Sequence, residues 1–242
     1  MIEICTGSYQ DCLAAYKGGA KRVELNSALS VGGLTPSLST LIRVKNETDL
    51  KVICMVRPRA AGFCYDKDDK NIMMDDARLF LEHGADGIAF GFLNEDGSIQ
   101  MEYTKEMVDL IHSYHKEAVF HRAFDVTPDP FQAMEILIEL GVDRLLTSGQ
   151  KAKAMEGIEL IKSLQEKYGQ QIEILAGSGM NASNAKEMMD YTGISQVHSS
   201  CKAYKEDGTT QSKYVSYSYI DNSNQYDIVS KDLVKKLMDA TK

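Results

Sequence analysis

Apolar residues in this chain follow two rhythms that alternate from end to end. Short runs such as Ile2-Glu3-Ile4-Cys5, Val52-Ile53-Cys54-Met55-Val56, Ala118-Val119-Phe120 and Ile172-Glu173-Ile174-Leu175 have the length and composition of buried strands. Between them, apolar positions recur every three or four residues. Examples are Leu38, Leu41 and Ile42, then Met107, Leu110, Ile111 and Tyr114, then Phe131, Met134, Leu137 and Ile138. That spacing lines one face of a helix. Thr35-Pro36 and Thr127-Pro128 read as helix caps followed by a first-turn proline.

One phrase recurs four times: Gly19-Ala20-Lys21-Arg22-Val23, Gly84-Ala85-Asp86-Gly87-Ile88, Gly141-Val142-Asp143-Arg144-Leu145 and Gly193-Ile194-Ser195-Gln196-Val197. Each reads as a helix stopped by a left-handed glycine, then a turn into a strand. Each interval between phrases holds two strand–helix units. Eight strands and seven helices precede residue 198, which predicts an α/β fold of the TIM (β/α)8 barrel type in a single domain. An open doubly wound sheet would favour a glycine-rich turn after its first strand. Here that turn is Cys5-Thr6-Gly7-Ser8.

The barrel body is expected over residues 1–201. Residues 202–242 are expected to form a C-terminal arm and a closing helix of the same domain. The arm is polar and carries Tyr204, Tyr214, Tyr217, Tyr219 and Tyr226, with Val215, Tyr217 and Tyr219 alternating with serines. Ser230 caps a last helix holding Leu233, Val234, Leu237 and Met238. Tyrosines suit an interface, so a homo-oligomer, first of all a dimer, is expected through the arm.

Composition narrows the function classes. The 242 residues carry a formal net charge of −8, unlike a nucleic-acid-binding body. No run approaches the ~20 apolar residues of a membrane span, and Met1 to Cys5 read as a strand, not a leader. Five cysteines at 5, 12, 54, 64 and 201 have no paired spacing, which fits a reducing cytoplasm. The twelve methionines read as core filler.

A TIM barrel places its chemistry at the C-terminal ends of its strands. There the sequence holds Glu24 and Asn26, then Arg57 and Arg59, then His121, Arg122 and Asp125, then Ser148, Gly177-Ser178-Gly179 and His198. Arginines suit a carboxylate or phosphate. Arg59, Arg122, Ser148 and the Gly177-Ser178-Gly179 turn form the expected ligand-binding set. The turn would hold phosphate, with Asn181 capping the next helix. Glu24, Arg57, His121, Asp125 and His198 form the expected catalytic set. In it His121 acts as general acid or base, with Glu24 or Asp125 as partner. The plainer reading of Glu24 is a buried partner of Arg57 or Arg122. His83, His112 and His115 are expected on the surface. Cys5 is the candidate metal ligand, since a thiolate selects soft ions such as Cu(I).

These runs resemble the CutC family of copper homeostasis proteins. The matching stretches are Ile2-Glu3-Ile4-Cys5, Gly18-Gly19-Ala20-Lys21-Arg22-Val23-Glu24-Leu25, Gly32-Gly33-Leu34-Thr35-Pro36-Ser37 and Val56-Arg57-Pro58-Arg59. Gly84-Ala85-Asp86-Gly87, Phe120-His121-Arg122-Ala123-Phe124-Asp125, Arg144-Leu145-Leu146-Thr147-Ser148-Gly149 and Gly177-Ser178-Gly179 continue in family order. The resemblance implies a TIM barrel, a cytoplasmic homo-oligomer and a role in copper tolerance or trafficking. It also implies Cu(I) held by cysteines near the first two strands. Cys5 matches the first cysteine, while Asn26 stands where many relatives carry the second. A different class of function remains open from the residues themselves. It is an enzyme acting on a small anionic or phosphorylated metabolite through Arg57, His121 and Glu24, as hydrolase, lyase or isomerase.

Overall fold

A computed structural model describes residues 1–218 and 223–242. Eight parallel strands close into a barrel in sequence order: β1 (Ile2–Thr6), β2 (Arg22–Leu25), β3 (Lys51–Met55), β4 (Gly87–Phe90), β5 (Glu117–Phe120), β6 (Arg144–Thr147), β7 (Glu173–Ala176) and β8 (Gln196–Ser199). Seven helices alternate with them: α1 (Tyr9–Lys17), α2 (Leu38–Glu47), α3 (Lys67–Glu82), α4 (Met101–Ser113), α5 (Pro130–Glu139), α6 (Ile158–Tyr168) and α7 (Ala185–Thr192). β1 pairs with β8 as well as β2, with Glu3 opposite His198. The predicted barrel is therefore the observed one.

The four repeated glycines all adopt left-handed backbone, with φ of 99° at Gly19, 89° at Gly84, 83° at Gly141 and 80° at Gly193. Any side chain there would be strained, so the recurrent phrase marks where a helix must end. The proline dipeptides work differently from the expectation. Ser37 caps α2, leaving Thr35 Oγ1 to accept from the Arg57 amide at 3.0 Å. Asp129 caps α5 with Pro130 in its first turn. In each case a better cap follows, so Thr35 and Thr127 are released to brace loops.

Burial splits into two cores. The large one lies between the strands' outer faces and the helices, and takes in Met73 and Met188. A small separate cluster of Ile53, Met55, Ala89 and Val119 lies on β3, β4 and β5. Period-two alternation places it inside the barrel. The inward positions of β1, β2 and β8 are instead polar: Glu3 and Cys5, Arg22 and Glu24, Gln196 and His198. The barrel interior is thus apolar on one wall and ionisable on the other.

After β8, the antiparallel strands β9 (Lys202–Glu206) and β10 (Gln225–Val229) form a two-stranded ribbon outside the barrel. The ribbon is tied down by Asp11 of α1, whose carboxylate accepts from the Val229 amide at 2.8 Å. Ser230 caps α8 (Lys231–Ala240), which packs on α1 and α7 through Val234 and Leu237. Tyr214 and Tyr217 are among the most exposed side chains, at 84% and 82%. Tyr219 of the expected alternation lies outside the described residues. Among the described residues, no helix is long and apolar enough to cross a membrane.

Candidate functional site at the barrel mouth

A cavity of about 490 Å³ opens at the C-terminal ends of the strands. Its floor carries Cys5, Glu24 and His198, and its walls carry Arg57, His121 and Arg122. A groove of about 610 Å³ lies outside the barrel between α1 and β10. The carboxylates there, Asp11 and Asp227, are already bonded to the Val229 amide and to Lys202. At the mouth, Arg57 and His121 each keep a nitrogen without a partner among the described residues.

The floor is the upper end of a buried ionic column. At the closed end of the barrel, Arg144 sits among Glu3, Glu117 and Glu173, and Arg22 Nε lies 2.6 Å from Glu3 Oε2. Glu3 Oε1 reaches His198 Nδ1 at 2.9 Å. His198 Nε2 in turn faces Glu24 Oε2 at 3.8 Å. Asn26 Nδ2 donates to Glu24 Oε2 at 2.9 Å, and the Cys5 thiol lies 3.9 Å from the same oxygen. Cys5, Glu24 and His198 each offer a ligand atom, and these atoms lie within 4.8 Å of one another.

These contacts set the charges. Burial alone would raise the Glu3 carboxyl, but its bond to His198 and the charges of Arg22, His198 and Arg144 hold it at about 2. Burial disfavours a charged His198, yet Cys5, Glu24 and Glu3 outweigh it and push the imidazole well above its ordinary value. Glu24 goes the other way, raised chiefly by burial, with His198 pulling against the rise. Burial likewise raises the Cys5 thiol. Glu24 has neither Arg57 nor Arg122 as a partner; its companions are His198, Asn26 and Cys5.

The walls are set differently. Arg57, 5% exposed, gives Nη1 to the carbonyls of Val31 and Gly33, both at 2.9 Å, and Nη2 to Ala61 at 2.6 Å. Its Nε is buried without a partner among the described residues. His121, 3% exposed, follows β5 and caps the 3₁₀ turn Arg122–Val126. Its Nδ1 accepts from the Ala123 amide at 3.1 Å, and its Nε2 is buried without a partner. Burial, reinforced by the Arg57 charge, lowers this imidazole to about 3. Phe63 packs near both, its ring centroid 5.0 Å from that of His121 and 5.1 Å from the Arg57 guanidinium carbon.

Several expected residues sit elsewhere. Arg59 turns outward to Asp69 at 2.8 Å and stacks on Tyr65, because the chain has left strand geometry at Pro58. Asp125 is no partner for His121. It ties loops together by accepting from Arg122 Nε, Thr147 Oγ1 and the Ser148 amide. Ser148 is drawn into that same cluster. Gly177 packs beneath the rim against Leu146, whereas Ser178 and Gly179 line the cavity. The helix expected to start at Asn181 starts at Ala185 after Asn184, so the glycine turn is not directly at its N-terminus. His83, His112 and His115 are exposed. Sequence reading passed over Glu3, Phe63, Lys153 and Lys202. The last three line the cavity, and Glu3 orients its floor.

Fold and mouth together define a TIM-barrel protein with a polar, cation-rimmed pocket over a Cys–Glu–His floor. The chain belongs to the CutC family, whose model matches residues 1–203. It is 47% identical over 210 residues to a CutC family protein of Treponema denticola, covering 87% of this chain and 85% of that one. It is 38% identical over 208 residues to the human copper homeostasis protein cutC homolog, covering 86% and 76%. The crystal structure of a CutC protein from Streptococcus agalactiae superposes with a TM-score of 0.78 at 31% identity, over 83% of this chain and 98% of that one. A phosphoribosyl anthranilate isomerase from Thermococcus kodakaraensis shares the fold, with a TM-score of 0.56 at 14% identity.

Proposed function

We propose that this CutC chain serves copper homeostasis, as the name of its human relative describes, by binding Cu(I) on the barrel floor. The observation that carries this is the set of Cys5, Glu24 and His198 ligand atoms gathered within 4.8 Å. Cys5 supplies a soft thiolate and His198 an imidazole, a donor pair that suits Cu(I). Glu3 binds the other imidazole nitrogen, the support that metal-ligating histidines commonly have. Asn26 stands beside Cys5, so the site has one thiolate. The test is a competition titration of reduced protein with Cu(I) and a chromophoric chelator, beside Cys5→Ser and His198→Ala. One-to-one binding weakened in both variants supports the reading; binding unchanged in both overturns it.

A second reading is favoured by Arg57 and His121, which line the cavity and whose Nε and Nε2 are buried without a partner among the described residues. In it the mouth takes a small anionic metabolite and acts on it as an enzyme. Arg122, Lys153 and Lys202 add to the cationic rim. Inorganic phosphate or sulfate should then raise the melting temperature of the wild-type chain by linkage.

Five free cysteines, one of them exposed, support a cytoplasmic location. Exposed Tyr204, Tyr214 and Tyr217 on the arm support a homodimer. Unchanged oligomeric state after deletion of 210–228 from a still-folded chain would rule that contact out.

A further inference from the structure

We propose that Arg57 and His121 form an oxyanion subsite that binds the carboxylate of a small organic acid, with His121 acting as a neutral N–H donor. The proposal deepens the anion reading above and rests on it. It departs from the expectation that His121 shuttles protons.

The tautomer follows from geometry. The Ala123 backbone amide can only donate, so the His121 nitrogen it meets at 3.1 Å, Nδ1, carries no proton. A neutral ring then bears its proton on Nε2, which has no partner in its buried position. The Nδ1–Cε1 edge lies against Gly91, where an added Cβ would come within 2.6 Å of Cε1 and 2.7 Å of Nδ1. The ring is therefore fixed with its Nε2 edge turned away from β4. A buried donor without an acceptor is costly, and a ligand oxygen removes that cost.

Arg57 is fixed just as firmly. Three backbone carbonyls hold its terminal nitrogens, and it has no carboxylate partner among the described residues. A buried cation without a counter-ion calls for an anion. Two unpartnered N–H groups, one cationic and one neutral, equal in number the two oxygens of a carboxylate. A phosphate would leave further oxygens to be bonded. The apolar ring of Phe63 packs against both residues and lowers the local polarity, which strengthens both bonds.

The experiment uses the full chain with ¹⁵N-labelled histidine and oxalate as probe, with inorganic phosphate for comparison. His121 is expected to show the Nε2–H tautomer without titrating between pH 8 and 5, and oxalate is expected to shift that resonance. His121→Phe keeps the ring and removes the donor. It should weaken oxalate binding about ten- to a hundredfold, with His121→Gln recovering part of the loss. Titration of His121 near the ordinary imidazole range overturns the proposal. So does oxalate binding that is equal in wild type and His121→Phe. Thermal stabilisation by phosphate with no oxalate binding removes the subsite but leaves the anion reading standing. Stabilisation by neither anion removes both.

Discussion

His198 Nδ1 lies 2.9 Å from Glu3 Oε1, joining the last barrel strand to the first through a buried ion pair. Removing one partner strips the other buried charge of a close counter-charge, a change that typically costs about 3–5 kcal/mol. Glu3→Gln should therefore lower unfolding stability by that order. The double variant Glu3→Gln/His198→Gln should be less damaged than the sum of the single variants. Urea denaturation of the four forms gives the coupling directly.

The two buried histidines should oppose each other in the pH dependence of stability. His121 titrates at about 3 when folded, against an ordinary value near 6.5. The unfolded chain thus binds the proton first, and stability falls with acid from pH 6.5 towards 3, by up to about 1.4 kcal/mol per pH unit. His198 is raised, so its contribution is complete below pH 6.5 and is lost as pH rises through its folded value. His121→Gln should flatten the acid limb, and denaturation midpoints from pH 4 to 7 would show whether it does.

Cu(I) affinity, on the reading proposed for the floor, should climb with pH. The Cys5 thiol and the His198 imidazole are both raised, so each carries a proton at neutral pH that the metal must displace. The expected gain is about tenfold in affinity per pH unit for each proton released. A chelator competition series at pH 6, 7 and 8 measures the slope. A flat series would show that neither group gives up a proton.

Gly91→Ala should disturb the mouth while leaving the fold intact. The new methyl would stand 2.6 Å from His121 Cε1, so the imidazole has to move. Overpacking of this kind costs about 1–3 kcal/mol. The sensitive readout is the His121 resonance, which should shift and broaden. An unmoved resonance would mean that β4 does not fix the ring.

The proposed single-domain organisation makes α8 part of the body. Val234 and Leu237 are fully buried where α8 packs on α1 and α7. Val234→Asp should lower the thermal midpoint of the whole chain in one transition. A separate early transition confined to the C-terminal end would mark residues 202–242 as an independent unit.

The barrel was legible because its signals are local and periodic: four glycines that must be left-handed and strands of fixed spacing. The site was legible in part. Strand ends pointed to Glu24, Arg57, His121 and His198, which the structure brings to one cavity. Arg59 was misjudged because alternation holds only within a strand, and β3 ends at Met55. Spacing does not separate a His121 partner from a loop brace at Asp125, because a loop's own hydrogen bonds cannot be read from it. Glu3 was open to discovery. It shares a face of β1 with Cys5, so an inward cysteine there implies an inward glutamate. Lys153 and Phe63 come from irregular loops, where no period places a side chain.

The column that links Glu3 to His198 spans nearly the whole chain, at a separation of 195 residues. During synthesis the first strand leaves the ribosome long before its partner is made. Until β8 emerges, the nascent barrel has an open seam, with a carboxylate on the face that later becomes interior. Domains tend to fold as units, and here the charge pair that shuts the ring has to wait for β8. A chain that ends before β8 would keep that seam open, with the β1 edge unpaired on that side.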